Sequence, residues 1–244
     1  AIPCYNESKY VIDTCISVDK FLRSLNLDYE IVIADDASSD DTKRQADAVI
    51  IFNDRARYVC NDKTVPHVNG KGAAVSRAWQ SSDADVFMFI DADLAIDLRI
   101  IKEALFYLDQ GRDIVVGSKH LPQSEVEYPK LRRVLSKCYA LISKSLLGSK
   151  IRDHQCGFKA FRADVADSLL PFIKCGGWGW DTEILIKAQW VGFDVLEVPA
   201  KVSEVYSRQS SFGVFKGTWT MGVNLLQIYF GKKQFFKDWY DGCK

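Results

Sequence analysis

The residues best suited to chemistry are Asp91 and Asp93, two carboxylates flanking Ala92 at the exit of the apolar run Val86-Phe87-Met88-Phe89-Ile90. A buried strand that stops in two acids puts hard oxygen ligands at a sheet edge. That arrangement suits Mg²⁺ or Mn²⁺, which take carboxylates and bridge to substrate phosphates. A polar loop after a strand is the plain alternative for an isolated pair of this kind. Asn6-Glu7 and Asp35-Asp36 also follow apolar runs. Open α/β sheets bind ligands beyond the carboxyl ends of their strands, so the three pairs are candidates for one shared site.

Stepping from these acids to the elements that must carry them, strand-like runs alternate with amphipathic stretches through the first half, the pattern of βα units around a mostly parallel sheet. The pattern predicts a helix over Lys9–Leu25, a strand over Tyr29–Ala34, a helix over Asp40–Ala46 and a short apolar run at Ala48–Phe52. A helix around Ala73–Ser81, the strand Val86–Ile90, a helix over Leu98–Leu108 and a strand over Asp113–Val116 come next. A basic helix, Lys130–Leu147, carries Lys130, Arg132, Arg133, Lys137 and Lys144. Trp178-Gly179-Trp180 then reads as a rigid turn delivering Asp181 and Glu183 to a helix start, and a further strand spans Phe193–Val198, ended by Pro199.

With 244 residues, 48% of them hydrophobic, the chain can bury a sizeable core as one large domain or two small ones. Lys+Arg and Asp+Glu both total 32, so no global charge argues for a nucleic-acid partner, and any phosphate recognition must be local. Seven cysteines without a Cys-x-x-Cys or Cys/His cluster argue against a disulfide framework or structural zinc and point to a reducing, cytosolic environment. No run of about 18 apolar residues is present to span a bilayer. Ala1-Ile2-Pro3 reads as the end of a buried strand whose beginning is absent. The stretch Phe212–Trp239 interleaves aromatics with glycine and lysine, consistent either with a helix packed on the domain or with an interfacial membrane helix placing Lys232, Lys233 and Lys237 near head groups.

Four segments stand out together: Pro3-Cys4-Tyr5-Asn6-Glu7, Asp35-Asp36-Ala37-Ser38-Ser39-Asp40, Asn69-Gly70-Lys71-Gly72-Ala73-Ala74 and Asp91-Ala92-Asp93. In this order and spacing the chain resembles the inverting family 2 glycosyltransferases. Two later segments, Asp153-His154-Gln155-Cys156-Gly157-Phe158-Lys159 and Trp180-Asp181-Thr182-Glu183, resemble the polyprenyl- or dolichyl-phosphate sugar transferase branch. The resemblance covers roughly residues 1–210. It implies an α/β fold of GT-A type, a nucleotide-sugar-binding sandwich with a mostly parallel central sheet. Residues 1–116 would form the nucleotide-sugar half and 117–210 the acceptor half of a catalytic domain, with 211–244 a C-terminal amphipathic helical segment at a membrane interface.

The resemblance also implies roles. Pro3, Tyr5 and Glu7 match the first nucleotide contacts, with Glu7 accepting from ribose hydroxyls; packing by Tyr5 and helix capping by Glu7 are the alternatives. Asp36 matches the acid that reads the base edge, whereas Ser38 and Asp40 look like N-cap chemistry. Gly70 and Gly72 would give backbone freedom near the nucleotide, with Lys71 balancing charge. Asp93 would hold the metal that bridges the diphosphate, Asp91 would orient the sugar or the metal shell, and Ala92 separates them. Ala95 stands where mannose synthases commonly carry Gln, which leans toward a UDP-glucose-type donor over a GDP-mannose type. Lys119, Arg132, Arg133 and Ser136 are candidates for the acceptor phosphate, and solvated helix faces are the alternative for Arg133 and Lys137. Asp181 would orient sugar hydroxyls beside a lipid phosphate, or act as general base if the acceptor is a hydroxyl. Arg208 resembles the loop residue that closes on the donor diphosphate, with Lys216 an approximate substitute for the family's usual ending. His67, His120 and His154 make no ligand spacing and read as loop or surface residues.

The leading expectation is thus metal-dependent, inverting hexose transfer to a polyprenyl (dolichyl) phosphate by an enzyme peripheral to the cytoplasmic face of a membrane. Transfer to a saccharide hydroxyl is the second reading. A nucleotide-binding module without catalysis fits poorly with Asp91, Asp93 and the basic helix, and a nucleotidyltransferase would show glycines in the Pro3–Glu7 segment, which has none.

Overall fold

The computed structural model describes residues 1–61, 69–127, 130–203 and 214–242, with the side chains of 130–133 and 214–218 outside that description. Strands and helices alternate through the first half: β1 (Ile2–Cys4), α1 (Val11–Ser24), β2 (Ile31–Asp35), α2 (Thr42–Phe52), β3 (Ala56–Cys60), α3 (Lys71–Gln80), β4 (Val86–Ile90), α4 (Arg99–Asp109) and β5 (Ile114–Ser118). There follow β6 (Glu125–Glu127), α5 (Lys130–Leu147), β7 (Phe158–Arg162), α6 (Ala163–Leu169), α7 (Gly179–Val191), β8 (Val195–Pro199), β9 (Lys201–Ser203) and α8 (Val214–Gly242).

β1, β2 and β3 form a parallel sheet with β2 in the middle. A second sheet has the order β4-β7-β5-β8, in which β8 runs parallel to β5 and β7 runs antiparallel to both of its neighbours. The sheets meet where the Ala1 nitrogen donates to the Met88 carbonyl at 2.6 Å and the Ile90 N–H donates to the Ala1 carbonyl at 3.1 Å. β6 and β9 make a separate parallel ribbon. Helices cover both faces, so β2 and β5 are buried at every residue and read as continuous apolar runs. The α/β layout expected from the sequence is present. β7 is the departure from parallel order: it begins beside the end of β4, where the Asp91 N–H donates to the Gly157 carbonyl, and so must run back against β4.

Two local readings change. The apolar run Ala48–Phe52 is the second half of α2, with Val49 buried and Ile51 and Phe52 turned outward. The third strand is Ala56–Cys60, whose mixed sequence ARYVC suits its place at the sheet edge. α8 packs on the domain, as the first of the two readings of the C-terminal stretch has it, and also carries an outward apolar face. Leu225, Ile228 and Phe235 are buried in the domain, while Trp219 and Phe230, 77% and 76% exposed, face solvent.

The core is organised around Trp79, whose ring lies 5.7 Å from Phe87, 5.2 Å from Phe161 and 5.5 Å from Trp180. Trp180 donates from Nε1 to Ser76 Oγ at 2.8 Å, and the Ala73 N–H donates to the Gly176 carbonyl at 2.8 Å, so the starts of α3 and α7 are locked together. The glycines of the Asn69-Gly70-Lys71-Gly72 segment serve this contact. A methyl group on Gly72 would overlap the Trp180 side chain, and one on Gly70, at φ +106°, would meet the Gly177 backbone at 2.7 Å. Gly70 uses the backbone freedom expected from the sequence, and both glycines also permit the close approach of two helix starts. Gly72→Ala should therefore cost about 2–3 kcal/mol of folding stability, as expected for an overpacked core, read as a lower urea midpoint at unchanged slope.

Candidate active site

β4 delivers the acidic pair. After Ile90 the chain turns, with the Leu94 N–H donating to the Asp91 carbonyl and Leu94 at φ 47°. Thr14 Oγ1 on α1 donates to the Ala92 carbonyl at 2.5 Å, which ties the turn to the first helix. Asp93 accepts from the Ala95 N–H at 3.2 Å. Burial, and then the charge of Asp91, hold the Asp93 carboxyl above the usual carboxylate range. A buried acid held beside a second carboxylate is a donor set that a divalent cation would relieve. Among the described residues no group of three or more His, Cys, Asp or Glu side chains gathers around one point, so a cation held by this pair would need further ligands from outside the described side chains. Such a partial shell fits Mg²⁺ or Mn²⁺.

Next to the pair lies a row of alternating charges. Lys71, at the start of α3, places Nζ 2.7 Å from Asp91 Oδ1 and 4.0 Å from Asp181 Oδ2. The other Asp181 oxygen accepts from Lys159 Nζ at 2.6 Å, and Lys159 also donates to the Cys156 carbonyl at 2.9 Å. Both ammonium groups lie over the Phe89 ring, Lys71 at 4.5 Å and Lys159 at 5.1 Å from its centroid. Burial disfavours the charge on Lys71, but Asp181 and Asp91 outweigh it and raise the amine's pKa. Lys159 is 0% exposed and Asp181 1%. Gly157 has no side chain because a methyl there would overlap the Asp91 carboxylate. Lys159 was visible in the sequence only as the last residue of a motif. Its role follows from pairing Ile90 with Phe158 across β4 and β7, which sets it beside Phe89.

Glu183 is not part of this row. Its Oε2 accepts from the Lys174 and Cys175 N–H groups at 2.9 and 2.7 Å, and its Oε1 pairs with Lys187. It braces the loop before α7, so the two acids that the Trp178-Gly179-Trp180 turn delivers face different partners.

On the nucleotide side, Pro3 is buried in β1 opposite Ala34, and Tyr5 is 50% exposed just beyond it. Glu7 is only 5% exposed; its N–H donates to Thr42 Oγ1 and its carbonyl caps the start of α1, so helix support is the reading its backbone carries. Asp36 accepts from Asn61 Nδ2 at 2.9 Å and from the Gly70 N–H at 2.7 Å, coupling the ends of β2 and β3 to the start of α3. Asp35 is buried under Ser38 and Tyr58. Asp40 accepts from the Thr42 N–H and from the Ser8 N–H, as an N-terminal cap should.

On the acceptor side, Lys119 at the end of β5 donates to Asp153 Oδ2 at 3.2 Å and to the Gln155 carbonyl at 3.1 Å. His120 Nε2 lies 2.9 Å from Ser136 Oγ, linking this loop to α5. His120 lies in a loop, as expected, and is half-buried. His154 also lies in a loop, but a buried one: it is 1% exposed, bonded through Nε2 to Ser149 Oγ at 2.8 Å. The side chains of Arg132 and Arg133, and the segments holding His67 and Arg208, lie outside the described residues, as does the Lys216 side chain.

Two outcomes are expected from this geometry. Lys159→Met leaves a buried carboxylate without its cation and should cost about 3–5 kcal/mol in urea unfolding, with Lys159→Met/Asp181→Asn recovering part of the loss. Burial pushes the His154 pKa down from 6.5 to about 4, so the folded chain keeps it neutral while the unfolded chain protonates it. That stability is complete above pH 6.5 and lost as the pH falls toward 4, by up to roughly 3 kcal/mol, and urea midpoints at pH 7 and pH 5 should converge in His154→Gln relative to the parent.

The family described as "Glycosyl transferase family 2" matches residues 1–170. Glycosyltransferase AglD of Haloferax volcanii is 34% identical over 201 residues, 81% of this chain and 32% of that protein. Dolichyl-phosphate beta-glucosyltransferase of Dictyostelium discoideum is 28% identical over 241 residues, 94% of this chain and 72% of that one. The chain therefore spans about a third of the first relative and under three quarters of the second. Among solved structures, glucosyl-3-phosphoglycerate synthase from Mycobacterium tuberculosis, in complex with Mn²⁺, UDP and glucosyl-3-phosphoglycerate, superimposes with a TM-score of 0.69 at 21% identity, covering 93% of this chain and 78% of that one. With the family matched over most of its length and its strand-end acids gathered at one sheet edge, the chain belongs to the family 2 glycosyltransferases, with a GT-A fold.

Proposed function

We propose that this domain transfers a hexose from a nucleoside-diphosphate sugar to a polyprenyl (dolichyl-type) phosphate, with inversion at the anomeric carbon. The observation that carries the choice of acceptor is Asp181: 1% exposed and hydrogen-bonded to Lys159, it is enclosed where a hydroxyl acceptor would need an accessible base. A phosphate monoester is already an anion at neutral pH and needs positioning rather than deprotonation. Lys119, His120 and Ser136 line the loop and helix that would receive it, and Arg132 and Arg133 share that helix, α5.

In this reading Asp91 and Asp93 hold Mg²⁺ or Mn²⁺, which supplies charge neutralisation for the departing nucleoside diphosphate. Tyr5 and Asp36 border the nucleotide, Lys71 bridges from the acids toward it, and Asp181 orients sugar hydroxyls. The phosphate oxygen of the acceptor attacks the anomeric carbon as the bond to the diphosphate breaks. Arg208 would close on the donor. The lipid acceptor also gives a use to the outward stripe of α8, where exposed Trp219, Leu226 and Phe230 precede Lys233 and Lys237, an apolar-then-basic order that suits a membrane surface. No helix among the described residues is long and apolar enough to cross a membrane.

A donor screen tests this reading: UDP- and GDP-sugars with Mn²⁺ or Mg²⁺ and a short polyprenyl phosphate, scored by lipid-linked sugar and its anomeric configuration. Product with inverted configuration is expected, and retention, or no product from any donor, refutes the proposal. Asp181→Asn should keep measurable turnover on the lipid phosphate. Near-complete loss of turnover with donor binding intact would favour the saccharide-hydroxyl reading, with Asp181 as base.

A further inference from the structure

Lys71 occupies a position that a metal-binding acid pair does not ordinarily tolerate. Its ammonium lies 2.7 Å from Asp91 Oδ1, an oxygen of the same carboxylate that would ligate the cation. The Lys71 side chain is 18% exposed, its stem starts on α3, and the position of α3 is set by Gly70 against Gly177 and Gly72 against Trp180. A divalent cation on Asp91 and the Lys71 ammonium would be two like charges within a few ångströms in a partly buried site, so they cannot both hold that carboxylate without strong repulsion. The second anion within reach is Asp181, at 4.0 Å, and Lys159 already fixes the far oxygen of Asp181. The two lysines thus differ in kind. Lys159 is locked by two hydrogen bonds and is fully buried, whereas Lys71 sits between Asp181 and the more exposed Asp91 and keeps some exposure of its own.

We propose that Lys71 is a built-in placeholder cation: its ammonium holds Asp91 while the divalent cation is absent, opposes binding of the cation alone, and leaves Asp91 when a diphosphate offers it a new partner. This makes cation and nucleoside diphosphate bind as a coupled pair, so the acids load productively only with donor present. The inference rests on Asp91 being a metal ligand, as the proposed function has it. It requires of Lys71 only a short swing on a flexible four-carbon stem.

Mn²⁺ binding without nucleotide, followed by the loss of the free-ion EPR signal, reads the competition directly. The intact protein should bind Mn²⁺ weakly. Lys71→Met and Lys71→Gln should each bind it tighter, by about tenfold or more, as expected for removing a unit charge next to a divalent cation. Lys71→Arg, which keeps the charge, should stay within a few-fold of the parent. Adding UDP or GDP should raise Mn²⁺ affinity less in the two neutral variants than in the parent. Asp91→Asn added to Lys71→Met should abolish the gain. Equal or weaker Mn²⁺ binding in both folded neutral variants, with binding still lost in Asp91→Asn, overturns the placeholder role and leaves the metal site standing. Binding that Asp91→Asn does not weaken overturns both.

Discussion

The rest of the site depends on one row of charges laid over one aromatic ring. Asp91, Lys71, Asp181 and Lys159 alternate in sign along the Phe89 face, and each inner member has an opposite charge on either side. Lys159 and Asp181 are removed from water almost completely, a costly arrangement unless both are paired and hydrogen-bonded. Lys159 meets the requirement with a carboxylate and a backbone carbonyl, and so the row has little freedom to rearrange at its buried end. At its open end it meets the acid pair where a cation and a diphosphate would sit. The buried Lys159–Asp181 end is thus preorganised, and charges fixed in advance need no reorganisation when charge develops nearby.

The scaffold exists to bring four separate segments to that row. Asp91 comes from the end of β4, Lys71 from the start of α3, Asp181 from the start of α7 and Lys159 from the second residue of β7. Two of these junctions are tolerated only because a side chain is missing: Gly72 where α3 meets Trp180, and Gly157 where the loop before β7 meets Asp91. The antiparallel course of β7 has the same consequence. By running back between β4 and β5 it puts Lys159 level with Phe89, and a parallel strand entering from the far end would not. The short polar side chains at the ends of β1 and β2 do related work farther along the edge. Asn6, Ser38, Asp40 and Thr42 hydrogen-bond across the two loops and hold the chain near Tyr5 and Asp36 in shape.

The second half of the chain gives the site its outer wall. α8 lies against α5 and α7, with Leu225, Ile228 and Phe235 facing inward and Trp219 and Phe230 facing outward. Such a helix contributes to the core and presents an apolar stripe at once. The same element therefore stabilises the domain that holds the acids and leaves apolar side chains on its outer face.

The sequence by itself determined the α/β layout, the strand-end acids and the family, because these are written in local period and in the order of short motifs. β4 and α5 begin and end where the hydrophobic pattern places them. Local pattern ended the second helix at Ala46 and left Ala48–Phe52 unassigned, since a run of apolar residues carries no period of its own until one face of it is buried. It could not show β7 turning back, because strand direction depends on where the preceding loop leaves the chain. Only the tertiary structure decided which charged residues do what: that Glu183 braces a loop, that His154 is buried, that Lys71 holds Asp91 and that Lys159 holds Asp181. The physical reason is that the role of a charge is set by the charge opposite it, and Lys71, Asp91, Lys159 and Asp181 become neighbours only when three junctions between distant elements close.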